Sequence, residues 1–400
     1  MQHGLVILLS LVSSVGLFLH FDVVSFLGYV FAPRLMILMA VAPALLLAAY
    51  QLRQRYQLLR VETCSDRVKA KWVALVIMLL ALLLYAFAMS EAGIRPFPTF
   101  VADYFLAFPV LIVFAWGYVR WADRRLPEPA DGYFLFGSFV LGWRAWHFEE
   151  QKPFLLSWGV KILFIPIMYG ALVGVASRFL ALELALTPGS VVLWLFLFGL
   201  CFDLVIATSG YLFSSYFFGN QVYSTDDNWR GWLVCLICYP PLVFGIQRLR
   251  DLGSQIRWHD WLVPNEPLYW LWALLVTGTW GVYWYAKASF GLRFSNLSWR
   301  GLVDTGPYRW TKHPSYLFKN IYWWAHAVPF VGVFSTIELV RNISVLALIS
   351  LIYFLRAKTE EMHLMRFPEY RGYAERIGKA GLVARLAGRR QIVMSNERGS

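Results

Sequence analysis

Residues 72–92 read WVALVIMLLALLLYAFAMSEA, a stretch whose single charged side chain, Glu91, lies next to its end. A lipid hydrocarbon core about 30 Å thick is crossed by roughly 20 apolar residues in one helix. Only a helix or a closed barrel pairs all of its backbone N–H and C=O groups in lipid. The stretch therefore predicts a membrane-spanning helix.

Similar stretches recur along the whole chain. Hydrophobic residues make up 59% of the 400 residues and charged residues 15%, which would leave a soluble protein with more apolar surface than it could bury. We predict an all-α, polytopic integral membrane helical bundle of about 8–10 transmembrane helices. Besides 72–92, the predicted spans are 4–32, 34–52, 99–119, 153–183, 187–216, 231–247, 265–288, 316–335 and 343–355.

The net charge of +12 comes from basic residues in loops and in the carboxyl-terminal tail. The positive-inside rule and anionic lipid headgroups account for them, so we do not expect nucleic-acid binding. The basic loop from Arg53 to Lys71 is expected in the cytoplasm, together with both termini of an even-numbered bundle. With ten spans, Arg248 and Arg257 would fall on the outer side, so the segment around Pro240 could instead be broken or re-entrant.

Two motifs in the first two thirds of the chain resemble metal or redox sites. Cys235 and Cys238 have redox-motif spacing, but no second cysteine pair accompanies them, and packing is the expected role. His147, Glu149 and Glu150 lack the i, i+4 spacing that directs two ligands at one metal ion. We predict no metal site.

Among the ionisable residues inside predicted spans are Asp103, Lys161 and Asp203. Charged side chains are costly in lipid unless they are paired or face a cavity. Each is a functional candidate, although Asp203 could equally form a helix-to-helix hydrogen bond. Lys161 can reach the surface along its own aliphatic stem.

Polar residues become dense after Phe290, between apolar spans. Residues 301–316 read GLVDTGPYRWTKHPSY, where Gly306-Pro307 is typical of a turn and Pro314 suits the first residue of a helix. His313 precedes a proline and is therefore expected to be extended. The turn and its basic residues surround the positive end of a helix, where a carboxylate or phosphate is favoured.

Glu360 and Glu361 follow the last apolar span. Two acids at a helix carboxyl end are unfavourable, so they require a cationic partner. That partner could be Arg356, one turn earlier, or the ammonium and hydroxyl groups of a ligand. An anion site and an acidic pair together suit a zwitterionic cofactor such as S-adenosylmethionine.

Residues 270–380 resemble the isoprenylcysteine carboxyl methyltransferase and phospholipid methyltransferase superfamily. The resemblance rests on Gly-Pro-Tyr-Arg, His-Pro-Ser-Tyr, an apolar helical hairpin, and Arg-x-x-x-Glu-Glu followed by Phe-Pro-Glu-Tyr-Arg-Gly-Tyr. It implies a carboxyl-terminal cofactor-binding hairpin that holds S-adenosylmethionine at the cytosolic face, while the substrate enters from the bilayer. The cofactor residues that it implies are Gly306, Tyr308, His313, Tyr316, Glu360 and Glu361.

The resemblance also implies that Arg309, His313 and Arg356 act in catalysis, the two arginines holding carboxylates of substrate or cofactor. Lys312 stands where the family usually has arginine, which removes a planar two-pronged grip on a carboxylate. The amino-terminal region of about 230 residues is absent from small members of the family. We therefore divide the chain into 1–230, a transmembrane region of unassigned role, and 231–400, a methyltransferase-like module with a basic cytosolic tail.

The sequence thus predicts a membrane-embedded S-adenosylmethionine-dependent methyltransferase. Its partners would be membrane lipids and a lipid-soluble or lipidated acceptor carrying a carboxylate, an amine or a thiol. An amine would need a base, namely His313, His326 or a glutamate, to remove its proton. The alternatives are an NADPH-dependent membrane reductase of the sterol and steroid reductase type, and a non-catalytic transporter or scaffold. The Glu360–Glu361 pair favours the methyl donor, since a 2′-phosphate requires Arg or Lys.

Overall fold

The computed structural model describes residues 1–55, 62–183, 185, 187–251, 257–264 and 266–382. Helices make up 77% of it. The α-helices of the described residues are α1 Gln2–His20, α2 Val23–Arg55, α3 Ser65–Glu91, α4 Phe97–Asp123, α5 Gly132–Val140, α6 Phe148–Leu180, α7 Pro188–Leu212, α8 Trp229–Leu236, α9 Val243–Asp251, α10 Trp258–Trp261, α11 Pro267–Phe290, α12 Pro314–Ala327, α13 Thr336–Leu364 and α14 Pro368–Ala380.

Three short 3₁₀ helices and two short strands complete the described structure. The 3₁₀ helices are Tyr216–Phe218, Gly291–Arg293 and Gly306–Arg309. The strands β1, Ser224–Thr225, and β2, Ser298–Trp299, pair antiparallel with Ser224 opposite Trp299. Backbone hydrogen bonds from Tyr223 to Trp299 and from Asp226 to Leu297 flank this ladder.

Seven helices of the described residues are long and apolar enough to cross a membrane: α1, α2, α3, α4, α6, α7 and α13. This confirms the predicted all-α, polytopic helical bundle. Helix α11 has the length, with 24 residues, but its many Trp and Tyr side chains keep its hydropathy below that of the seven. These rings suit a membrane–water interface.

The limits of the first two predicted spans differ from the observed helices. The predicted span 4–32 is interrupted, since α1 ends at His20 and Asp22 adopts a left-handed φ of 46°. Helix α2 then carries a kink at Gly28, whose φ is 72°. Aspartate and glycine tolerate such conformations better than the surrounding apolar residues do.

The predicted spans after residue 230 also differ. The 231–247 stretch forms two helices of eight and nine residues, α8 and α9, so the broken alternative describes it better than a continuous span. Helix α12 ends at Ala327, ahead of Pro329, instead of continuing to residue 335. Helix α13 is longer than predicted, with 29 residues.

The chain divides into two compact units. We call Gln2–Arg248 with Gly291–Arg300 the amino-terminal unit, and Leu249–Phe290 with Gly301–Ser400 the carboxyl-terminal unit, to which Met1 is added. The basic loop predicted to be cytoplasmic includes residues 56–61, and the basic tail includes 383–400, which both lie outside the described residues.

Helix α6 forms the centre of the amino-terminal unit and packs against α2, α3, α4, α5 and α7. In the most apolar segment of α6, 56% of the residues are buried, whereas the figure is 44% or less in the other candidate spans. Gly170 lets α6 approach the start of α4, because a Cβ there would lie 2.3 Å from the Pro96 carbonyl oxygen. The other helices therefore surround α6 and expose apolar side chains.

Asp103, one of the charged candidates inside a predicted span, is paired. Arg34 of α2 donates two hydrogen bonds to its carboxylate, at 2.8 and 2.9 Å. The Tyr169 hydroxyl of α6 donates a third, at 2.6 Å. This arrangement satisfies the carboxylate and joins three helices, which accounts for Asp103 without a ligand.

In the carboxyl-terminal unit, α11 packs against α12, and α12 and α13 form the predicted hairpin. Trp272 of α11 donates its indole N–H to the Ala325 carbonyl at 2.8 Å. Trp324 of α12 donates to the Ser350 hydroxyl of α13 at 3.0 Å. Because the hairpin is antiparallel, the start of α12 lies beside the end of α13.

Candidate functional site

The turn before α12 is the Gly306–Arg309 3₁₀ helix, and its shape depends on Gly306. The φ of Gly306 is +60°, in the left-handed region that glycine adopts most easily. A Cβ at this position would lie 2.3 Å from the Ser289 hydroxyl oxygen of α11. The requirement for glycine therefore follows from the packing of this turn on α11, and the cofactor role of Gly306 stays a prediction.

Tyr308 lies inside this turn, with 7% of its surface exposed. Its hydroxyl is 3.2 Å from the Ser315 hydroxyl in the first turn of α12. Its ring meets Phe290 edge to face, with centroids 5.1 Å apart. Burial raises the pKa of Tyr308 well above its ordinary value, so the hydroxyl stays neutral. Tyr308 thus joins the turn to the helix.

Helix α12 begins as the sequence predicts, with Pro314 as its first residue. His313 lies outside the helix, but its φ of −131° and ψ of 59° differ from the extended conformation expected before a proline. No side chain caps this end of the helix. The His313 and Tyr316 rings stack, with centroids 5.7 Å apart and planes 22° apart. Both side chains therefore face the same side of the helix start.

The acidic pair at the end of α13 meets these two side chains. The Tyr316 hydroxyl donates a hydrogen bond to Glu360 Oε2 at 2.9 Å. His313 Nε2 lies 3.2 Å from Glu361 Oε1 and donates its proton there, because a carboxylate only accepts. The two sequence motifs, 44 and 48 residues apart in these pairs, thus converge at one place.

Two lysines form ion pairs with Glu361. The Lys312 ammonium pairs with Glu361 Oε1, and Lys358 pairs with Oε2 at 3.3 Å. Lys312 lies just before α12, and Lys358 lies on α13 at i, i+3 spacing from Glu361. A role of Arg356 or of ligand groups as partner of the acids stays a prediction. We call Lys312, His313, Tyr316, Glu360 and Glu361 the carboxylate cluster.

The two arginines of the predicted site are placed differently. The Arg356 guanidinium lies over the Tyr316 ring, 5.3 Å from its centroid, and is 9% exposed. The Tyr353 ring stacks on the Tyr316 ring, with centroids 6.1 Å apart. Arg309 is exposed at the end of its 3₁₀ helix, and the described residues offer it no hydrogen bond or ion pair. The structure brings Arg356, but not Arg309, to the carboxylate cluster.

Helix α14 holds the turn from outside the hairpin. The Tyr373 hydroxyl lies 2.8 Å from the Tyr308 carbonyl oxygen and 3.3 Å from that of Thr311. Arg376 pairs with Asp304 at 2.8 Å. Burial raises the pKa of Tyr373 well above its ordinary value, so it stays a donor. Tyr373 is part of a motif in the sequence, but the motif does not predict its contact with the turn.

The carboxylate cluster offers both kinds of charge at a partly open position. The exposed fractions of the side chains are 15% for Glu361, 17% for His313 and 31% for Lys312. Such a cluster can bind the carboxylate and the ammonium of one zwitterionic ligand. Across the described residues there is no group of three or more His, Cys, Asp and Glu arranged to hold a metal ion.

The family model of the isoprenylcysteine carboxyl methyltransferase (ICMT) family matches residues 271–366. This segment contains the turn, helix α12 and helix α13 with the whole carboxylate cluster. The match agrees with the resemblance found in the sequence and supports a membrane methyltransferase in general terms. Neither the curated proteins nor the solved structures give a match to this chain.

Proposed function

We propose that this protein is a membrane-embedded methyltransferase that uses S-adenosylmethionine and acts on a lipid-soluble or lipidated acceptor. The observation that carries the proposal is the meeting of His313 and Tyr316 with Glu360 and Glu361. These residues belong to the segment that matches the methyltransferase family. The seven apolar helices give the enzyme its membrane context.

The side chains of the carboxylate cluster fit the cofactor by the chemistry of their groups. An amino-acid end with a carboxylate and an ammonium requires a cation and an anion close together. Lys312 and His313 provide the cationic groups, and Glu360 and Glu361 the anionic ones. We assign the Tyr316 and Tyr353 rings, stacked beside them, to the apolar and aromatic parts of the ligand.

Bound S-adenosylmethionine would supply an electrophilic methyl group on a positively charged sulfur. The protein contributes binding, orientation and the exclusion of water, which can dominate when an anionic acceptor meets a cationic donor. Arg356, held over Tyr316, is placed to orient a substrate carboxylate. For an amine acceptor, the neutral form of His313 is the candidate base, with Nδ1 as the accepting atom while Nε2–H faces Glu361.

The test is calorimetry of the purified protein in detergent with S-adenosylmethionine and, separately, with NADPH. We expect the methyl donor to bind and Glu361→Gln to abolish measurable binding, because the anionic group is lost. Glu375→Gln is the matched control, since Glu375 lies exposed on α14. We expect it to bind like the wild type.

Glu361→Gln also removes the partner of two lysines and could disturb the fold by itself. Glu360→Gln is the milder variant, because an amide oxygen can still accept the hydrogen bond from Tyr316. We expect it to weaken methyl-donor binding about tenfold. NADPH binding without methyl-donor binding would favour a reductase, and binding of neither cofactor would favour a non-catalytic protein.

A further inference from the structure

The amino-terminal unit contains a cavity of about 650 Å³. It lies among α3, α4, the start of α5, α6 and residues 214–222. Lys71, Asp123, Asp131 and Lys161 contribute charges to its lining, and Phe154 and Phe217 contribute apolar rings. This volume is in the range of small-molecule sites and far exceeds what a simple inorganic ion needs.

One face of α6 forms a wall along the length of the cavity. Glu150, Phe154, Ser157 and Lys161 all line it, with the spacing that places residues on one side of a helix. Glu150 is half exposed, with 47% of its side chain accessible. Lys161 lies roughly 16 Å further along the helix axis. The cavity thus extends from an exposed acidic end toward a lysine within a membrane-spanning helix.

The two aspartates in the lining are neutralised by neighbouring cations. Asp123 is fully buried and accepts from Arg67 at 2.7 Å. Lys71 lies 3.1 Å from Asp123 and 3.3 Å from Asp131. Two carboxylates therefore face two cations, and this group is close to neutral without a ligand.

The acids at the exposed end do not reach Lys161. Glu150 pairs with Arg144 at 3.4 Å, and both side chains are more than two-fifths exposed. Glu128 is exposed. Neither acid provides a counter-ion for the lysine.

Lys161 is the second cation of the lining. Unlike Lys71, it has no carboxylate partner among the described residues. Its ammonium lies over the Trp158 ring, 4.9 Å from the centroid. Arg300 is close enough to repel it electrostatically and is itself only 4% exposed. Arg300 donates to the Gly210 carbonyl at 2.5 Å, while its Nε has no partner among the described residues.

Two neighbouring cations without a carboxylate partner are costly in an apolar surrounding, and an anion would relieve that cost. We infer that the cavity of the amino-terminal unit binds an amphipathic molecule whose phosphate or carboxylate group pairs with Lys161. The aromatic and aliphatic lining holds the apolar body of the ligand, and Ser157 lies one turn from the lysine as a hydrogen-bond donor. This site shares no residue with the carboxylate cluster, and the inference does not depend on methyl transfer.

The experiment uses calorimetry of the full-length protein in a neutral detergent with three probes. Dioctanoyl phosphatidic acid carries both the acidic group and the apolar body, dioctanoylglycerol carries the body alone, and inorganic phosphate carries the anion alone. We expect the first probe to bind at least about tenfold more tightly than either of the others, because only it uses both parts of the cavity.

The decisive variant is Lys161→Met, which keeps the aliphatic stem and removes the charge. We expect it to weaken phosphatidic acid binding about tenfold or more, and Lys161→Arg to retain binding. Lys152→Met is the matched control on the same helix, because Lys152 pairs with Asp227 at 3.6 Å and lies outside the lining. It should bind like the wild type.

Unfolding would not explain weaker phosphatidic acid binding by Lys161→Met. Removing a cation that has no carboxylate partner should leave the melting temperature unchanged or raise it. Ser157→Phe tests the cavity without changing charge, by filling the space one turn from Lys161, and should also abolish binding. Unchanged binding in Lys161→Met, or equal binding of dioctanoylglycerol, overturns the inference. Inorganic phosphate that binds as tightly as the lipid overturns its amphipathic part.

Discussion

The two units of the protein differ in where their charged side chains lie and in what those side chains contact. In the amino-terminal unit, charged side chains lie within membrane-spanning helices and form pairs across helices, such as Arg34 with Asp103 and Arg67 with Asp123. In the carboxyl-terminal unit, the charges of the candidate site gather where α12 begins and α13 ends. The first arrangement holds helices together, whereas the second leaves a partly open cluster that can bind a ligand.

The difference follows from where each unit keeps its polar groups relative to lipid. Arg34 and Asp103 lie inside α2 and α4, where a charged side chain must find a partner in the protein. Arg67 and Asp123 lie at the start of α3 and the end of α4, and their pairing accompanies the complete burial of Asp123. A charged side chain at a helix end can remain available to bind a ligand. Lys161 lines a cavity and has no carboxylate partner among the described residues, and for that reason it marks a second candidate site.

The largest effect on stability is expected from Asp123→Asn. This change leaves Lys71 and Arg67, which are 4% and 16% exposed, without the carboxylate between them. We expect a loss of about 3–5 kcal/mol in the free energy of unfolding, because Arg67 loses its carboxylate and the buried Lys71 keeps only Asp131. Denaturant titration in detergent measures it, with Asp66→Asn in the exposed first turn of α3 as control. Equal stability of the two variants would show that this ion network does not hold the unit together.

A smaller effect is expected from Asp103→Asn. Its side chain is 22% exposed and that of Arg34 is 27% exposed, so solvent reduces the cost of breaking the pair. Tyr169 can still donate to the amide oxygen. We expect a loss of about 1–3 kcal/mol in the same titration. A loss as large as that of Asp123→Asn would contradict the role that we give to burial.

Tyr373→Phe tests the turn of the carboxyl-terminal unit. The change removes a hydroxyl that contacts the Tyr308 and Thr311 carbonyl oxygens. We expect a loss of about 1 kcal/mol in the free energy of unfolding. Methyl-donor affinity should fall with it, because the turn leads into the carboxylate cluster. A stability loss with unchanged affinity would separate the turn from the binding site.

The smallest effect is expected from Arg376→Gln, which breaks the ion pair with Asp304. The two side chains are 59% and 38% exposed, and such pairs contribute about 0–1 kcal/mol. Its melting curve should therefore overlay that of the wild type within a degree or two. A shift as large as that of Tyr373→Phe would mean that α14 depends on this pair more than on its buried tyrosine.

Much of the carboxyl-terminal unit could be predicted from the sequence, because its signals are local. Pro314 marked the start of α12, and Gly306-Pro307 marked the turn before it. The meeting of His313 and Tyr316 with Glu360 and Glu361 agrees with the resemblance to a family hairpin. The pairing of Glu361 with Lys312 was not predicted, since the two residues meet only when the hairpin closes.

The sequence predicts the fold class of the amino-terminal unit but not the contacts between its helices. Hydropathy identified its spanning helices, yet the partner of Asp103 is 69 residues away in sequence, and no spacing rule finds it. The end of α1 near Asp22 and the division of residues 231–247 into α8 and α9 depend on single backbone positions within apolar stretches. Periodicity and length do not detect such breaks.

The measurement that tests the central claim most directly is methyl-donor affinity in Glu360→Gln, determined by calorimetry beside the wild type and Glu375→Gln. If the carboxylate cluster holds S-adenosylmethionine, wild type and Glu375→Gln should bind it with equal affinity, and Glu360→Gln should bind about tenfold more weakly. Equal affinity in all three proteins, or no binding by the wild type, would contradict the account.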